Sequence, residues 1–95
     1  MLIFESRNVE YFMANPSEGL IIKGEITNRC GQTFNSVAFR VFVFARDTPL
    51  GSATFTVHGF NAGQTKSFET SVIELQDKKI VNTVTRCEVV AQNAY

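Results

Sequence analysis

The chain has 95 residues, of which 44% are apolar and 19% charged. This bounds it to one small globular domain over residues 1–95 and excludes a disordered polymer. Nine acidic residues balance nine Lys and Arg. Binders of nucleic acid draw much of their affinity from a basic excess that neutralises phosphates, so this balance argues against such a partner.

At the start, Met1-Leu2-Ile3-Phe4 gives way at once to Glu5 and Arg7, too soon for the roughly 7–15 apolar residues of a secretory leader. Nowhere does a run approach the roughly 18 apolar residues of a membrane span. The expected compartment is the cytoplasm if Met1 is the native start, and the cell envelope if the chain is a fragment of an exported protein. The two cysteines, Cys30 and Cys87, are too few for a disulfide scaffold or a zinc site. Their separation is similar to that of an immunoglobulin bridge, but the chain has no Trp to pack on one. Two reduced, partly buried thiols are expected, with a bridge as the alternative.

In chain order, Val9-Glu10-Tyr11-Phe12 reads as an edge strand and Asn15-Pro16-Ser17 as a turn. From Gly19 the chain alternates. Leu20, Ile22, Gly24 and Ile26 share one face, and Ile21, Lys23, Glu25 and Thr27 the other. That period of two marks a strand with one buried face. After a turn around Gly31 comes the strongest strand, residues 34–45. Val37, Phe39, Val41 and Val43 lie on one side of it, and Ala38, Arg40, Phe42 and Phe44 on the other. Its β-branched and aromatic content predicts a central position. Asp47-Thr48-Pro49 has turn chemistry. Ala53, Phe55 and Val57 then alternate with Thr54, Thr56 and His58. Asn61-Ala62-Gly63 turns the chain into a strand over 66–73, with Phe68 and Val72 as core residues. Gln76-Asp77-Lys78-Lys79 is a polar turn, and residues 74–82 have room for one helical turn. A long or broken strand over 80–91 closes the domain. Turn signals every 8–12 residues or so, without a long helical period, predict an all-β fold: an immunoglobulin-like antiparallel β-sandwich of six or seven strands.

Several of these residues also carry a likeness. Gly24-Glu25-Ile26-Thr27-Asn28 resembles the "G-x-V-x-N" strand end of FxLYD-type domains. Val37, Phe39, Val41 and Val43, running into Asp47 and Leu50-Gly51, resemble that family's apolar strand and its return. Gly63-Gln64-Thr65 with Phe68 is similar to its strand start. The likeness covers about residues 20–70. The family's naming motif is matched only by the Asp and apolar residues of Val43-Phe44-Ala45-Arg46-Asp47, without the Leu-Tyr pair. The resemblance implies an immunoglobulin-like sandwich serving as an accessory module, often in bacterial cell-envelope proteins, and no catalytic residues.

No cluster of chemistry-bearing residues stands out. His58 is the only histidine and reads as an exposed residue at a strand end, and no nucleophile motif surrounds either cysteine. The nine carboxylates form no D-x-D or E-x-x-E pair and no calcium loop. The six glycines are scattered rather than gathered in a phosphate loop. The expectation is a nonenzymatic domain without cofactor or metal. One feature asks for a partner. In a two-layer sandwich only one face of a strand reaches the core, yet Phe42 and Phe44 lie opposite the Val37–Val43 face, with Arg40 and Arg46 flanking them as an interface rim would. The expected function is protein contact through this face or a sheet edge, with a protein partner or a second copy in a homodimer. A terminal segment folded over the aromatic pair, 1–4 or Tyr95, is the competing arrangement. A second functional class is a proteinase-inhibitor-like sandwich presenting Asp47-Thr48-Pro49 or the 59–63 loop to an enzyme.

Overall fold

The computed structural model describes residues 3–95. Strands β1 (Phe4–Phe12), β2 (Leu20–Asn28), β3 (Phe34–Ala45), β4 (Thr48–Phe60), β5 (Thr65–Val72) and β6 (Arg86–Ala94) account for most of them, with a 3-10 turn at Pro16–Glu18 and one α-helical turn, α1 (Lys78–Val81). The strands form two antiparallel three-stranded sheets, ordered β1-β2-β5 and β4-β3-β6. The fold is therefore all-β, with two sheets packed on a shared core.

The period-two pattern sets which side chains fill that core. Leu20, Ile22 and Ile26 project from β2, and Val37, Phe39, Val41 and Val43 from β3, all essentially without solvent contact. Phe68 and Val72 join them from β5. Aromatic rings tie the sheets together. Phe4 meets Phe39 edge-on at 5.1 Å, Phe39 stacks on Phe55 at 5.0 Å, and Phe55 stacks on Phe68 at 4.3 Å. Each fully buried ring or branched chain contributes about 1.5–3 kcal/mol. Gly24 sits on the inward face of β2, where a Cβ would lie 3.1 Å from Phe68 Cζ and 3.1 Å from Val9. Only a residue without a Cβ lets Val9 and Phe68 approach this closely.

Three expectations need correction. The first strand begins at Phe4, not Val9, and is broken by a register shift between Arg7 and Glu10 around Asn8, whose φ is 54°. The turn placed at Asp47-Thr48-Pro49 lies earlier, at Arg46 (φ 57°) and Asp47, while Thr48 and Pro49 already belong to β4. Pro49 is tolerated because β4 is an edge strand and the β3–β4 register slips between Val43 and Phe44 opposite it. The closing strand covers 86–94, not 80–91. Asp77 Oδ1 accepts from the Lys79 N–H at 2.8 Å and caps the helical turn that takes up Ile80 instead.

Candidate functional site

Ladder chemistry decides which backbone groups of sheet β4-β3-β6 face outward. In an antiparallel pair, successive residues direct their N–H and C=O to alternate sides. On β4, the Ser52 N–H donates to Glu74 Oε1 at 3.2 Å. The Thr54 carbonyl accepts from Thr70 Oγ1 at 2.9 Å, and the His58 carbonyl from Lys66 Nζ at 2.8 Å. Even-numbered β4 residues thus point away from β3, and Gly51, Ala53, Phe55 and Val57 bond to Val43, Val41, Phe39 and Val37. It follows that Arg40, Phe42 and Phe44 direct their main chains to β6, meeting Val90, Glu88 and Arg86. The main chains of Cys87, Val89 and Ala91 are left facing outward, along the free edge.

The two sides of the sandwich therefore differ. Along β4, Lys66, Thr70 and Glu74 reach over from β5 and its following turn to satisfy the edge. Along β6, Cys87, Val89 and Ala91 have no such side-chain caps among the described residues. A hydrogen bond from β1 toward β6 lies just before the strand, from Tyr11 Oη to the Val84 carbonyl at 3.3 Å. Phe4, Val9, Cys87, Val89 and Ala91 are only partly buried here, so this side of the core is thinly covered.

The outer face beside that edge carries the aromatic pair. Phe42 and Phe44 lie with ring centroids 6.5 Å apart and half-buried. The Arg86 guanidinium sits 4.2 Å above the Phe44 ring, pairs with Glu88 at 3.6 Å, and donates to the Arg46 carbonyl. Arg40 donates to Ser52 Oγ at 3.0 Å and stands opposite Val90, which is 45% exposed. Arg46 is placed in the β3–β4 turn, where its backbone N–H bonds Thr85 Oγ1 at 2.7 Å. The arginine that lies over Phe44 is thus Arg86, which sequence reasoning missed. Only the register of β6 against β3 brings it there. None of the described terminal residues covers the pair: Ile3 bonds to Arg29 and Cys30, Phe4 packs inside, and Tyr95 pairs with Asn35 and Ser36, while Met1 and Leu2 lie outside the described residues.

His58 is exposed, with Nδ1 2.9 Å from Ser36 Oγ. No carboxylate bonds its other nitrogen among the described residues, so the pair lacks the orienting acid of a nucleophilic triad. Both cysteines are free. Burial pushes the Cys87 thiol pKa up from 9.0. Among the described residues no three His, Cys, Asp or Glu side chains converge as a metal site, and no helix is long and apolar enough to cross a membrane. The segments named for the inhibitor class are short here. Thr48 and Pro49, like Gly59 and Phe60, lie inside β4, and the connections are tight turns at 46–47 and 62–63.

No family model, no curated protein and no solved structure matches this chain.

Proposed function

We propose that this chain is a noncatalytic interaction domain that engages a protein partner through the β6 side of sheet β4-β3-β6. The observation that carries this reading is the uncapped edge of β6 beside the Phe42, Phe44 and Val90 surface. Unpaired strand edges take up added strands, and aromatic residues with arginine are the side chains most enriched where proteins meet. Arg40 and Arg86 supply that setting around the ring pair.

The finer fold reading points the same way. Constant-type immunoglobulin sandwiches place the first, second and fifth strands together, the third beside the sixth, and a seventh outside the sixth. Here β1-β2-β5 and β3-β6 follow that plan, with β4 moved beside β3. On this reading the chain is immunoglobulin-like, and the place outside β6 is where a further strand adds. The resemblance of residues 20–70 to FxLYD-type domains agrees with an accessory role.

The test compares the immobilised wild-type domain with a Phe42→Ser/Phe44→Ser double variant of matching circular dichroism, each exposed to extract of the source cell. A partner retained by the wild type and lost by the double variant is expected. The same proteins retained by both would overturn the assignment of this face.

A further inference from the structure

Resting on that reading, we propose that the occupant of the β6 edge is β6 of a second copy of this chain. The two strands run antiparallel about a two-fold axis at Val89, joining both β4-β3-β6 sheets into one six-stranded sheet.

Among the β4, β1 and β6 edges, the geometry selects β6. The β4 edge is bridged by Lys66, Thr70 and Glu74. The β1 edge is bent by its register shift at Asn8, whose Nδ2 donates to Glu25 Oε1 at 2.7 Å, and bulges of this kind keep an edge from pairing. On β6 the register with β3 runs without a shift from Arg86 to Ala91, and the irregularity comes only beyond, opposite Ala38 and Phe39. The straight stretch carries neither Pro nor Lys, the residues that commonly blunt an edge.

The register follows from the outward-facing groups. Cys87, Val89 and Ala91 are spaced symmetrically about Val89. A two-fold axis there pairs Val89 with its own copy and Cys87 with Ala91 of the second copy. Every outward N–H and C=O of the three residues then finds a partner across the axis. All three side chains are uncharged and of modest size, and all face the thinly covered side of the core. On the outer face, the same register sets Glu88 opposite Val90 of the second copy and Arg86 opposite Gln92. No like charges meet directly, and Glu88 keeps its own Arg86 at 3.6 Å. The exposed Val90 is covered in the process, and the aromatic faces of the two copies join one surface.

Sedimentation equilibrium on the wild type and four variants tests this. Val89→Pro removes the donor at the axis but no β3 ladder bond, and Pro is tolerated at such edge positions. It is expected to raise the dimer dissociation constant at least about tenfold. Val90 is 45% exposed and stands opposite Arg40, so matching circular dichroism of both position-90 variants is required before their dissociation constants are compared. Val90→Lys faces Glu88 of the second copy twice and is expected to tighten the dimer several-fold, while Val90→Glu weakens it by a similar factor. A wild type monomeric at every concentration overturns the proposal. So does a dimer that responds equally to Lys and Glu at position 90. A dimer lost in Phe42→Ser/Phe44→Ser yet unaffected by Val89→Pro also overturns it, placing the contact on the aromatic face. The broader partner reading fails separately, by the captured proteins above, so the two failures are distinguishable.

Discussion

Strands β4 and β6 both flank β3, both pair with it antiparallel, and both end at the margin of the same sheet. Their outer rims are nevertheless finished in opposite ways. The β4 rim is clothed by side chains spaced four apart, Lys66, Thr70 and Glu74, each bonded to a β4 main-chain group. The β6 rim presents the main chains of Cys87, Val89 and Ala91 with no such clothing among the described residues. One edge is closed against strand addition and the other is left ready for it. A sheet edge is thus defined less by its own sequence than by what the neighbouring layer lays across it.

The closed side can be broken most severely at Gly19. Its φ is +76°, and a Cβ would fall 2.2 Å from the Val72 carbonyl oxygen, where β2 meets β5. Backbone cannot retreat as a flexible side-chain tip would. Gly19→Ala is expected to cost about 3 kcal/mol or more, read as a fall in Tm above about 10 °C in thermal unfolding.

Asn28→Ala comes next. This fully buried side chain donates through Nδ2 to the Gln32 and Phe60 carbonyls at 2.9 and 3.1 Å, and its Oδ1 accepts from the Cys30 N–H at 2.9 Å. Its loss strands the buried Phe60 carbonyl and is expected to cost about 2–3 kcal/mol in urea unfolding, with the m value unchanged.

Removing the clothing itself sharpens the contrast. The triple variant Lys66→Ala, Thr70→Ala and Glu74→Ala is expected to lose only about 1–2 kcal/mol. It should also gain a concentration-dependent association that persists when Val89→Pro is added. Light scattering on that combination checks it, and a variant that gains no association means that these caps do not guard the β4 edge.

The smallest effect concerns the thiols. Burial pushes the Cys87 pKa up, so maleimide labelling near pH 8 should modify Cys87 more slowly in the folded protein than in the urea-unfolded chain, as read by mass spectrometry of digests. The sign for stability follows. The folded state holds this proton more tightly than the unfolded state, so the contribution is full below about pH 9 and fades as pH rises through the folded pKa.

Much of the fold was legible because burial has a period of two in a strand. The division of β3 into a Val37–Val43 inner face and a Phe42/Phe44 outer face follows from spacing alone, as does the inward run of Leu20, Ile22 and Ile26. Long-range pairing was not legible. Arg86 reaches Phe44 only because β6 lies beside β3, and no local pattern announces that neighbour. The openness of β6 was hidden for the same reason, since it depends on the strand order and on what β5 does at the opposite rim. Pro49 misled because turn chemistry and edge-strand tolerance look alike in sequence. Ile80 misled because a single Asp77 cap outweighs the β preference of an isolated branched residue.

Residue-resolved amide exchange, followed from dilute to concentrated protein, tests the contrast between the two rims most directly. In dilute solution the N–H groups of Cys87, Val89 and Ala91 should exchange quickly, while the Ser52 N–H, held by Glu74, stays protected despite lying at an edge. On concentration, the three β6 amides should become protected together and Ser52 should not change. Equal protection of both rims in dilute solution, or β6 amides indifferent to concentration while Ser52 responds, would contradict the assignment of β6 as the open edge where a second copy adds.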